Sequence, residues 1–242
     1  MNLCIDIGNS STKTGIFEGD NLIQYHVFDN LNSNDIEKIY SQHEINFCII
    51  SSVVDTRKEI TDLLNLKNEK FIEFNQNTPI PVKNNYLTPE TLGKDRLAAV
   101  VGASFLKPDS NLLVIDAGTA ITYDFIDDQH VYWGGNIAPG IELRLRALHE
   151  FTNRLPYIKI KKDSVLLGNN TTSAINSGVL NGIVFEIDGY INSLKEKYPD
   201  LSTFLTGGSI IYIDTMLKNT IFAENFLVLI GLNRILNYNV QK

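Results

Sequence analysis

One short pattern occurs twice in the chain of 242 residues, and it constrains the fold more strongly than any other feature. Asp6-x-Gly8-x-x-x-Thr12 is matched by Asp116-x-Gly118-x-x-x-Thr122, which lies 110 residues further along. Both copies follow an apolar run typical of a buried strand, and both lead into a second strand-like run. We therefore predict two related halves, each of which opens with a β-hairpin.

The remaining periodicity predicts strands alternating with helices in both halves. The first half has the order β-β-β-α-β-α-β, with strands over 2–6, 14–18, 21–28, 45–53 and 70–74 and helices to residue 42 and over 56–66. Ser33 and Asn34 are the candidate caps of the first helix. The second half has strands within 111–127, 130–140 and 202–208 and helices over 141–151, 173–198 and 223–238. Three glycines are candidate breaks of the long helix: Gly178, Gly182 and Gly189.

Two stretches without periodicity divide the chain. Residues 75–93 contain Pro79, Pro81 and Pro89, and a loop of this length favours a functional role. A helix from about Lys94 to Leu106 follows it. Pro108-Asp109-Ser110-Asn111 then has the composition of a joint. We predict a first domain over residues 1–108 and a second over 109–242.

The two turns have the chemistry of a phosphate site. Backbone N–H groups and hydroxyls in a turn rich in Gly, Ser and Thr bind anions, and Lys13 adds a point charge. An aspartate at a strand end, such as Asp6, is a natural ligand of hydrated Mg²⁺. An ordinary hairpin explains either copy alone. The occurrence of both, with a Gly207-Gly208 turn that offers room for a base or ribose, favours two hairpins that hold one polyphosphate. The chain contains neither G-x-x-x-x-G-K-[ST] nor G-x-G-x-x-G.

Composition excludes several other classes of protein. The net charge of -7 argues against nucleic acid as the main partner. No apolar run reaches the roughly 18 residues that a membrane span needs. Cys4 and Cys48 lie in apolar runs, so we expect buried, reduced thiols, and the four histidines show no metal-ligand spacing. We expect a cytoplasmic protein without a secretory signal.

An ordered series of motifs gives the chain a resemblance to a known family. The chain resembles the type III pantothenate kinases, of the acetate and sugar kinase/Hsp70/actin superfamily, over essentially its whole length. The motifs are Asp6-Ile7-Gly8-Asn9-Ser10-Ser11-Thr12-Lys13, Tyr86, Gly93-Lys94-Asp95-Arg96, Asp116-Ala117-Gly118-Thr119-Ala120-Ile121-Thr122, Gly134-Gly135, Pro139-Gly140, Thr152-Asn153-Arg154-Leu155-Pro156, Gly168-Asn169-Asn170-Thr171, Ser177-Gly178 and Thr206-Gly207-Gly208. The resemblance implies an α/β fold of two actin-like (ribonuclease H-like) domains, each a mixed five-stranded sheet flanked by helices.

The resemblance also implies an activity and its cofactors. Such proteins transfer the γ-phosphoryl group of ATP to the terminal hydroxyl of pantothenate and give 4'-phosphopantothenate, in the first step toward coenzyme A. The ATP contacts would be Thr119 and the first turn, namely Asp6, Ile7, Gly8, Asn9, Ser10, Ser11, Thr12 and Lys13. Asp6 would lie near Mg²⁺, and Asp116 would hold a monovalent cation, K⁺ or NH₄⁺. Such proteins are dimeric, and the second half would supply the interface.

For the substrate, the resemblance makes Asp95 the proton acceptor. The substrate contacts would be Tyr86, Gly93, Lys94, Asp95, Arg96 and Thr171. Asp95 has an alternative explanation, as a carboxylate at a helix N-terminus that the helix dipole favours. Tyr86 has one too, as a loop aromatic that covers the core. An arginine beside Asp95 suits an anionic substrate, so we assign the carboxylate of pantothenate to Arg96. Lys94 departs from the small residue common at that position.

Two other functions fit parts of this pattern. The first is a non-catalytic, nucleotide-binding regulatory protein of the same fold, and some relatives are described as transcriptional accessory factors. The second is a kinase or phosphatase of the superfamily that acts on a sugar, acetate or polyphosphate. Asp6, Lys13, Asp95, Arg96 and Asp116 argue against the first because all the groups that the transfer needs are present. The second leaves Tyr86 and the Gly93–Arg96 motif unexplained.

Overall fold

The computed structural model describes residues 1–54 and 57–240, which form two units. Unit 1 comprises residues 1–109, 129–133 and 226–242, and unit 2 comprises residues 110–128 and 134–225. The expected boundary between residues 108 and 109 lies one residue from the first division. Two segments that the sequence places in the second domain, 129–133 and the described residues 226–240, pack in unit 1.

Unit 1 is built on a five-stranded mixed sheet with the strand order β3-β2-β1-β4-β5. Strand β1 is antiparallel to β2 and parallel to β4. The helices and strands are β1 (Asn2–Ile7), β2 (Thr12–Glu18), β3 (Asn21–Phe28), α1 (Ser33–Gln42), β4 (Phe47–Ser52), α2 (Lys58–Lys67), β5 (Lys70–Glu73), β6 (Lys83–Asn84) and α3 (Lys94–Leu106). The closing helix α7 (Leu227–Val240) belongs to the same unit.

Unit 2 contains five strands and three helices, and β9 begins in unit 1. The strand order of the second sheet is β11-β10-β7-β8-β9-β6, so it has six strands where the family resemblance implies five. Its sixth strand, β6, pairs with the Val131 and Tyr132 end of β9. The elements are β7 (Leu112–Ala117), β8 (Ala120–Ile126), β9 (Val131–Pro139), α4 (Ile141–Glu150), α5 (Thr171–Lys197), β10 (Ser202–Thr206), α6 (Ile210–Ile213), a 3₁₀ turn (Asp214–Met216) and β11 (Phe222–Ala223).

Helices cover both faces of the first sheet, which explains why β4 is a continuous apolar run. One face packs against α1 and α2 in a core that includes Ile5, Ile36, Ile50 and Leu64. Helix α7 packs against β1, β4 and α3. The Asn233 side chain is buried in this region, where it accepts a hydrogen bond from Asn2 Nδ2 at 2.7 Å and donates to the Gly19 carbonyl at 2.9 Å. These polar contacts attach α7 to unit 1.

The long helix α5 runs without a break through Gly178, Gly182 and Gly189, so none of the three candidate breaks occurs. A glycine inside a helix costs about 1 kcal/mol relative to alanine. The buried side chains of α5 continue past each glycine and supply the offsetting burial. They include Ile175, Val179, Ile183, Ile187 and Ile191.

Helix α1 has a different cap from the one expected. Asn32, not Ser33 or Asn34, is the N-cap, and its side chain accepts from the backbone of Asn34 and Asp35. The Asp35 carboxylate accepts from the Asn32 N–H in return, which completes a capping box.

Three further points concern the ends of helices and the shortest elements. The expected start of α2 at Thr56 lies outside the described residues. Helix α7 begins at Leu227 because residues 222–223 form β11. Strands β6 and β11, helix α6 and the 3₁₀ turn span two to four residues each and are too short to show a period. Within residues 1–54 and 57–240, none of the helices combines the length and apolar character that crossing a bilayer requires.

Candidate active site

The first hairpin turn, in unit 1, exposes two of the residues expected to bind phosphate, whereas Thr12 at its end is buried. The Gly8 N–H donates to the Ser11 carbonyl at 3.0 Å and closes the turn, so Asn9 and Ser10 lie exposed at its tip. Asp6 lies opposite Lys13 on β2 and beside Ser51 on β4. Directly opposite residues share one face of a sheet, so a carboxylate, an ammonium group and a hydroxyl come together next to the turn.

The second hairpin turn, in unit 2, is one residue shorter than the first. Three residues separate the paired Ala117 and Ile121, whereas four separate Ile7 and Thr12. Thr122 therefore lies opposite Asp116, in the place that Lys13 takes opposite Asp6. In the sequence pattern Thr12 and Thr122 occupy the same place. In the structure they do not, because Thr12 lies opposite Ile7 and Thr122 lies opposite Asp116.

Asp116 lies against a glycine that a larger residue would displace. Strand β10 is parallel to β7 and brings Thr206 beside Asp116. The next residue, Gly207, has φ +99, a backbone region that side chains disfavour. A Cβ at this position would overlap Asp116 Oδ1 and lie 2.6 Å from the Ala117 carbonyl oxygen. The Gly207 backbone thus lies closer to the Asp116 carboxylate than a residue with a side chain would allow.

Gly140 is a further residue that contacts the second turn, a contact that the sequence patterns do not predict. Its N–H donates to the Thr119 carbonyl at 3.0 Å, and helix α4 begins at the next residue. The start of α4 therefore lies directly behind the exposed Thr119. The signal in the sequence is the Pro139-Gly140 pair ahead of an amphipathic run.

Helix α3 carries Asp95 and Arg96 in its first turn, as the sequence predicts. The Arg96 N–H donates to Asp95 Oδ1 at 2.8 Å, which fixes the carboxylate against the end of the helix. A Cβ at Gly93 would lie 2.6 Å from the same oxygen, so the glycine leaves the space that this carboxylate occupies. Asp95 is half-buried, and the residues from Leu97 to Ser104 are buried.

Two of the expected substrate contacts meet in unit 1. Arg96 is 6% exposed, and its guanidinium carbon lies 5.8 Å from the centre of the Tyr86 ring, a cation–π distance. The Tyr86 N–H donates to Asn84 Oδ1 at 2.9 Å, which shapes the loop just after β6. The structure therefore brings together Tyr86, Asp95 and Arg96 around the start of α3.

Thr171, the remaining expected contact, is in unit 2. It is exposed at the start of α5, one residue after the cap Asn170. It lines an open groove of about 1040 Å³ between α4 and α5. The lining of the groove is mainly apolar and includes Leu143, Ala147, Leu148, Phe151, Ile175 and Val179.

A hydrogen-bonded network holds the two helices of this groove together. Arg144 donates to Glu186 Oε2 at 2.6 Å and to the Pro139 carbonyl at 2.7 Å. Tyr123 donates to Glu186 Oε1 at 2.7 Å. Burial, together with the hydrogen bond to the neighbouring carboxylate, raises the pKa of Tyr123, so its phenol remains a donor at neutral pH.

Comparison with known proteins places the chain in a family. The profile of the type III pantothenate kinases matches residues 2–193. A type III pantothenate kinase from Phocaeicola vulgatus is 47% identical over 239 residues, which cover 99% of both chains.

Solved structures show the same fold. A Campylobacter jejuni protein described as a Baf family transcriptional activator has a TM-score of 0.62 and 25% identity over 99% of this chain and 100% of that one. A ROK family glucokinase from Streptomyces griseus has a TM-score of 0.50 and 12% identity over 100% and 99% of the two chains. The chain therefore shares its fold of two mixed sheets flanked by helices with that glucokinase, and the expected α/β class is confirmed. By profile, identity and coverage, the chain belongs to the type III pantothenate kinase family.

Proposed function

We propose that the chain phosphorylates pantothenate, by transferring the γ-phosphoryl group of ATP to its terminal hydroxyl in the first step of coenzyme A biosynthesis. The observation that carries this proposal is the cluster at the start of α3. There a half-buried carboxylate, Asp95, adjoins a buried guanidinium, Arg96, beside an aromatic ring, Tyr86. The cluster offers a proton acceptor and an anion contact side by side.

In unit 1, residues 6–13 are assigned to the phosphates of ATP. The exposed tip at Asn9 and Ser10 presents backbone N–H groups and a hydroxyl. Lys13 shares a sheet face with Asp6, so positive charge for phosphate lies beside a ligand for a divalent metal. In unit 2, exposed Thr119 is assigned to an ATP contact.

A kinase of this kind uses ATP with a divalent metal, for which we propose Mg²⁺ at Asp6. Mg²⁺ prefers a few carboxylates and keeps several waters, and one carboxylate at a strand end fits that preference. Asp116 fits K⁺ or NH₄⁺, because the absence of a Cβ at Gly207 leaves backbone close to a carboxylate oxygen. When bound, these cations offset the negative charge of the nucleotide.

Asp95 accepts the proton in the proposed reaction. The hydroxyl oxygen of pantothenate forms a bond to the γ-phosphorus, and the bond from that phosphorus to the β–γ bridging oxygen breaks. The hydroxyl proton passes to the Asp95 carboxylate, and ADP leaves. An aspartate carboxylate suits this role, because the proton leaves late in a loose transition state.

The carboxylate of pantothenate is assigned to Arg96. A guanidinium binds a carboxylate through two parallel N–H···O bonds, and a buried position strengthens both. Tyr86, Gly93, Lys94 and Thr171 are assigned to the remaining substrate contacts. Lys94 is half-exposed at the start of α3 and adds positive charge for an anionic substrate.

The groove of unit 2 is proposed as the face of a homodimer. Its exposed apolar side chains include Phe151, which is 84% exposed, and Leu167, at the end of the segment before Gly168, is 84% exposed as well. Apolar surface of this kind marks an interaction site in many proteins. A cytoplasmic location, where ATP is available, completes the proposal.

A non-catalytic regulatory role is the second candidate, and the Campylobacter jejuni protein described as a transcriptional activator motivates it. The complete set of charged groups at the two turns and at α3 favours catalysis instead. The net charge of -7 also argues against direct contact with DNA.

An assay of ADP release with pantothenate, glucose and acetate as separate acceptors tests the proposal. Of the three acceptors, we expect only pantothenate to give ADP release. Mass spectrometry should then show a product that is heavier than pantothenate by one phosphoryl group. ATP binding without release would favour the regulatory role. Release with glucose or acetate but not pantothenate would assign the chain to another kinase activity.

A further inference from the structure

A five-residue segment from the second half of the sequence packs in unit 1. Residues 129–133 follow β8 in the chain, yet they belong with residues 1–109. The Lys83 N–H donates to the His130 carbonyl at 2.9 Å, and the Asn85 N–H donates to the Tyr132 carbonyl at 3.0 Å. These bonds hold the backbone immediately before Tyr86, in a loop that has little other regular structure.

Tyr132 also contacts Tyr86 through its side chain. The two rings are stacked, with centroids 6.2 Å apart and an interplanar angle of 23°. Tyr132 is 0% exposed, so its ring has a fixed position within the unit. The Tyr86 ring therefore touches a fixed aromatic ring as well as the guanidinium of Arg96.

The same segment is attached to helix α3. His130 Nδ1 lies 2.8 Å from Ser104 Oγ, in the last turns of α3, and His130 Nε2 lies 3.1 Å from Asp109 Oδ1. One end of the segment thus holds the helix that carries Asp95 and Arg96. The other end holds the loop that carries Tyr86.

We propose that Tyr132 is a positioning residue for pantothenate, because it fixes the Tyr86 ring beside the Arg96 guanidinium. This inference rests on the proposed function, in which Tyr86 and Arg96 contact the substrate. Tyr132 touches neither ATP nor the reacting atoms, so its loss weakens pantothenate binding through Tyr86. A purely structural role would instead lower stability without selecting one substrate.

The test compares Tyr132→Leu and Tyr132→Phe with the wild type, with each substrate varied in turn. We expect Tyr132→Leu to raise the KM for pantothenate about tenfold, which corresponds to about 1.4 kcal/mol of lost pantothenate binding. The KM for ATP should stay within about twofold. Tyr132→Phe keeps the stacked ring, and we expect it to restore the wild-type KM. Tyr132→Met retains most of the buried volume without a ring and carries the same expectation where Tyr132→Leu does not fold.

Tyr198→Leu is the matched control. Tyr198 also packs on another aromatic ring, that of Phe125, at 4.6 Å between centroids, but it lies at the C-terminal end of α5 in unit 2. We expect a lower Tm with an unchanged KM for pantothenate. Addition of Tyr132→Leu to a Tyr86→Leu variant should cause no further rise in KM, because the effect passes through Tyr86.

Two outcomes separate the inference from the proposed function. A wild-type protein that does not phosphorylate pantothenate overturns the proposed function before any variant is made. An active wild type, with the KM for pantothenate unchanged in a folded Tyr132→Leu or Tyr132→Met variant, overturns the positioning role alone. Equal rises in both KM values would also reject it and leave a structural role.

Discussion

The guanidinium carbon of Arg96 lies 5.8 Å from the centre of the Tyr86 ring, and Arg96 is 6% exposed. A cation over an aromatic ring gains about 0.5–2 kcal/mol, with the larger value where water is excluded. This contact fixes the guanidinium at the start of α3, directly after the Asp95 carboxylate. The pair therefore presents a fixed positive charge beside the proposed proton acceptor.

Arg96→Ala is expected to raise the KM for pantothenate about 100-fold, because removal of a buried charge contact costs roughly 3 kcal/mol. Arg96→Lys should recover little, since an ammonium group cannot form two parallel bonds to a carboxylate. Steady-state kinetics with pantothenate varied at saturating ATP measure both values.

Arg234→Ala is the control for the loss of a cation–π contact. The Arg234 guanidinium lies 5.1 Å from the centre of the Phe105 ring in unit 1, so this change removes a similar contact elsewhere. We expect an unchanged KM for pantothenate. An unchanged KM in Arg96→Ala itself would reject the carboxylate contact.

Asp95→Asn is expected to lower kcat by at least about 100-fold while ATP binding persists, because the amide keeps the shape of the side chain but cannot accept the proton. Single-turnover kinetics and ATP titration by calorimetry measure the two effects.

The alternative role of Asp95, a carboxylate at a helix N-terminus, has its own control. Asp35 lies in the first turn of α1 and forms part of its capping box. Asp35→Asn should lower stability by about 1 kcal/mol or less and leave kcat unchanged. Wild-type turnover in Asp95→Asn would assign that helix-terminal role to Asp95 too.

Local sequence patterns were sufficient for the elements that carry the site. Helix α3 covers Lys94–Leu106, as predicted, because a loop with three prolines ends in a glycine just before an apolar run. Both hairpins follow the repeated Asp-x-Gly pattern. The one-residue difference between the turns could not be predicted, since strand register depends on pairing that identical spacing does not reveal.

Long-range packing accounts for the other differences. Residues 129–133 and helix α7 join unit 1 through contacts with residues more than 20 positions away, such as Asn233 with Asn2 and the Lys83 N–H with the His130 carbonyl. The sequence placed Tyr86 and Arg96 in the same substrate site but did not predict that their side chains contact each other. Its partner Tyr132 was missed because a tyrosine in a strand carries no signal of what it stacks on.

Asp116→Ala is expected to abolish the dependence of activity on K⁺ or NH₄⁺, because it removes the carboxylate of the proposed cation site. Rates measured over a range of K⁺ concentrations, with the ionic strength held constant by a larger cation, give the effect. Asp214→Ala, which removes a carboxylate that accepts from the nearby Thr215 N–H in the same unit, should keep the dependence. A wild-type enzyme that shows no such dependence would reject the site.

Gly207→Ala is expected to weaken cation and ATP binding by about tenfold or more. A side chain at φ +99 costs roughly 1–3 kcal/mol, and its Cβ would also overlap Asp116 Oδ1. Gly189→Ala is the matched control: Gly189 lies in helix α5 with no atom within 4 Å of an added Cβ. That variant should bind normally and gain about 0.5–1 kcal/mol in stability. Equal binding by both variants would show that the turn tolerates a side chain.

Phe151→Glu is expected to dissociate the proposed dimer, because it replaces an exposed apolar side chain of the unit 2 groove with a charge. Burial of a phenylalanine stabilises a contact by about 1.5–3 kcal/mol, and an unpaired charge in its place costs more. Sedimentation velocity over a range of concentrations should show a monomer for this variant and a dimer for the wild type.

Leu66→Glu controls for the loss of an exposed apolar residue, since Leu66 is 83% exposed on α2 in unit 1. This variant should remain dimeric. Because Thr171 lines the same groove, we expect the KM for pantothenate to rise in Phe151→Glu but not in Leu66→Glu. A Phe151→Glu variant that stays dimeric would place the interface elsewhere on the chain.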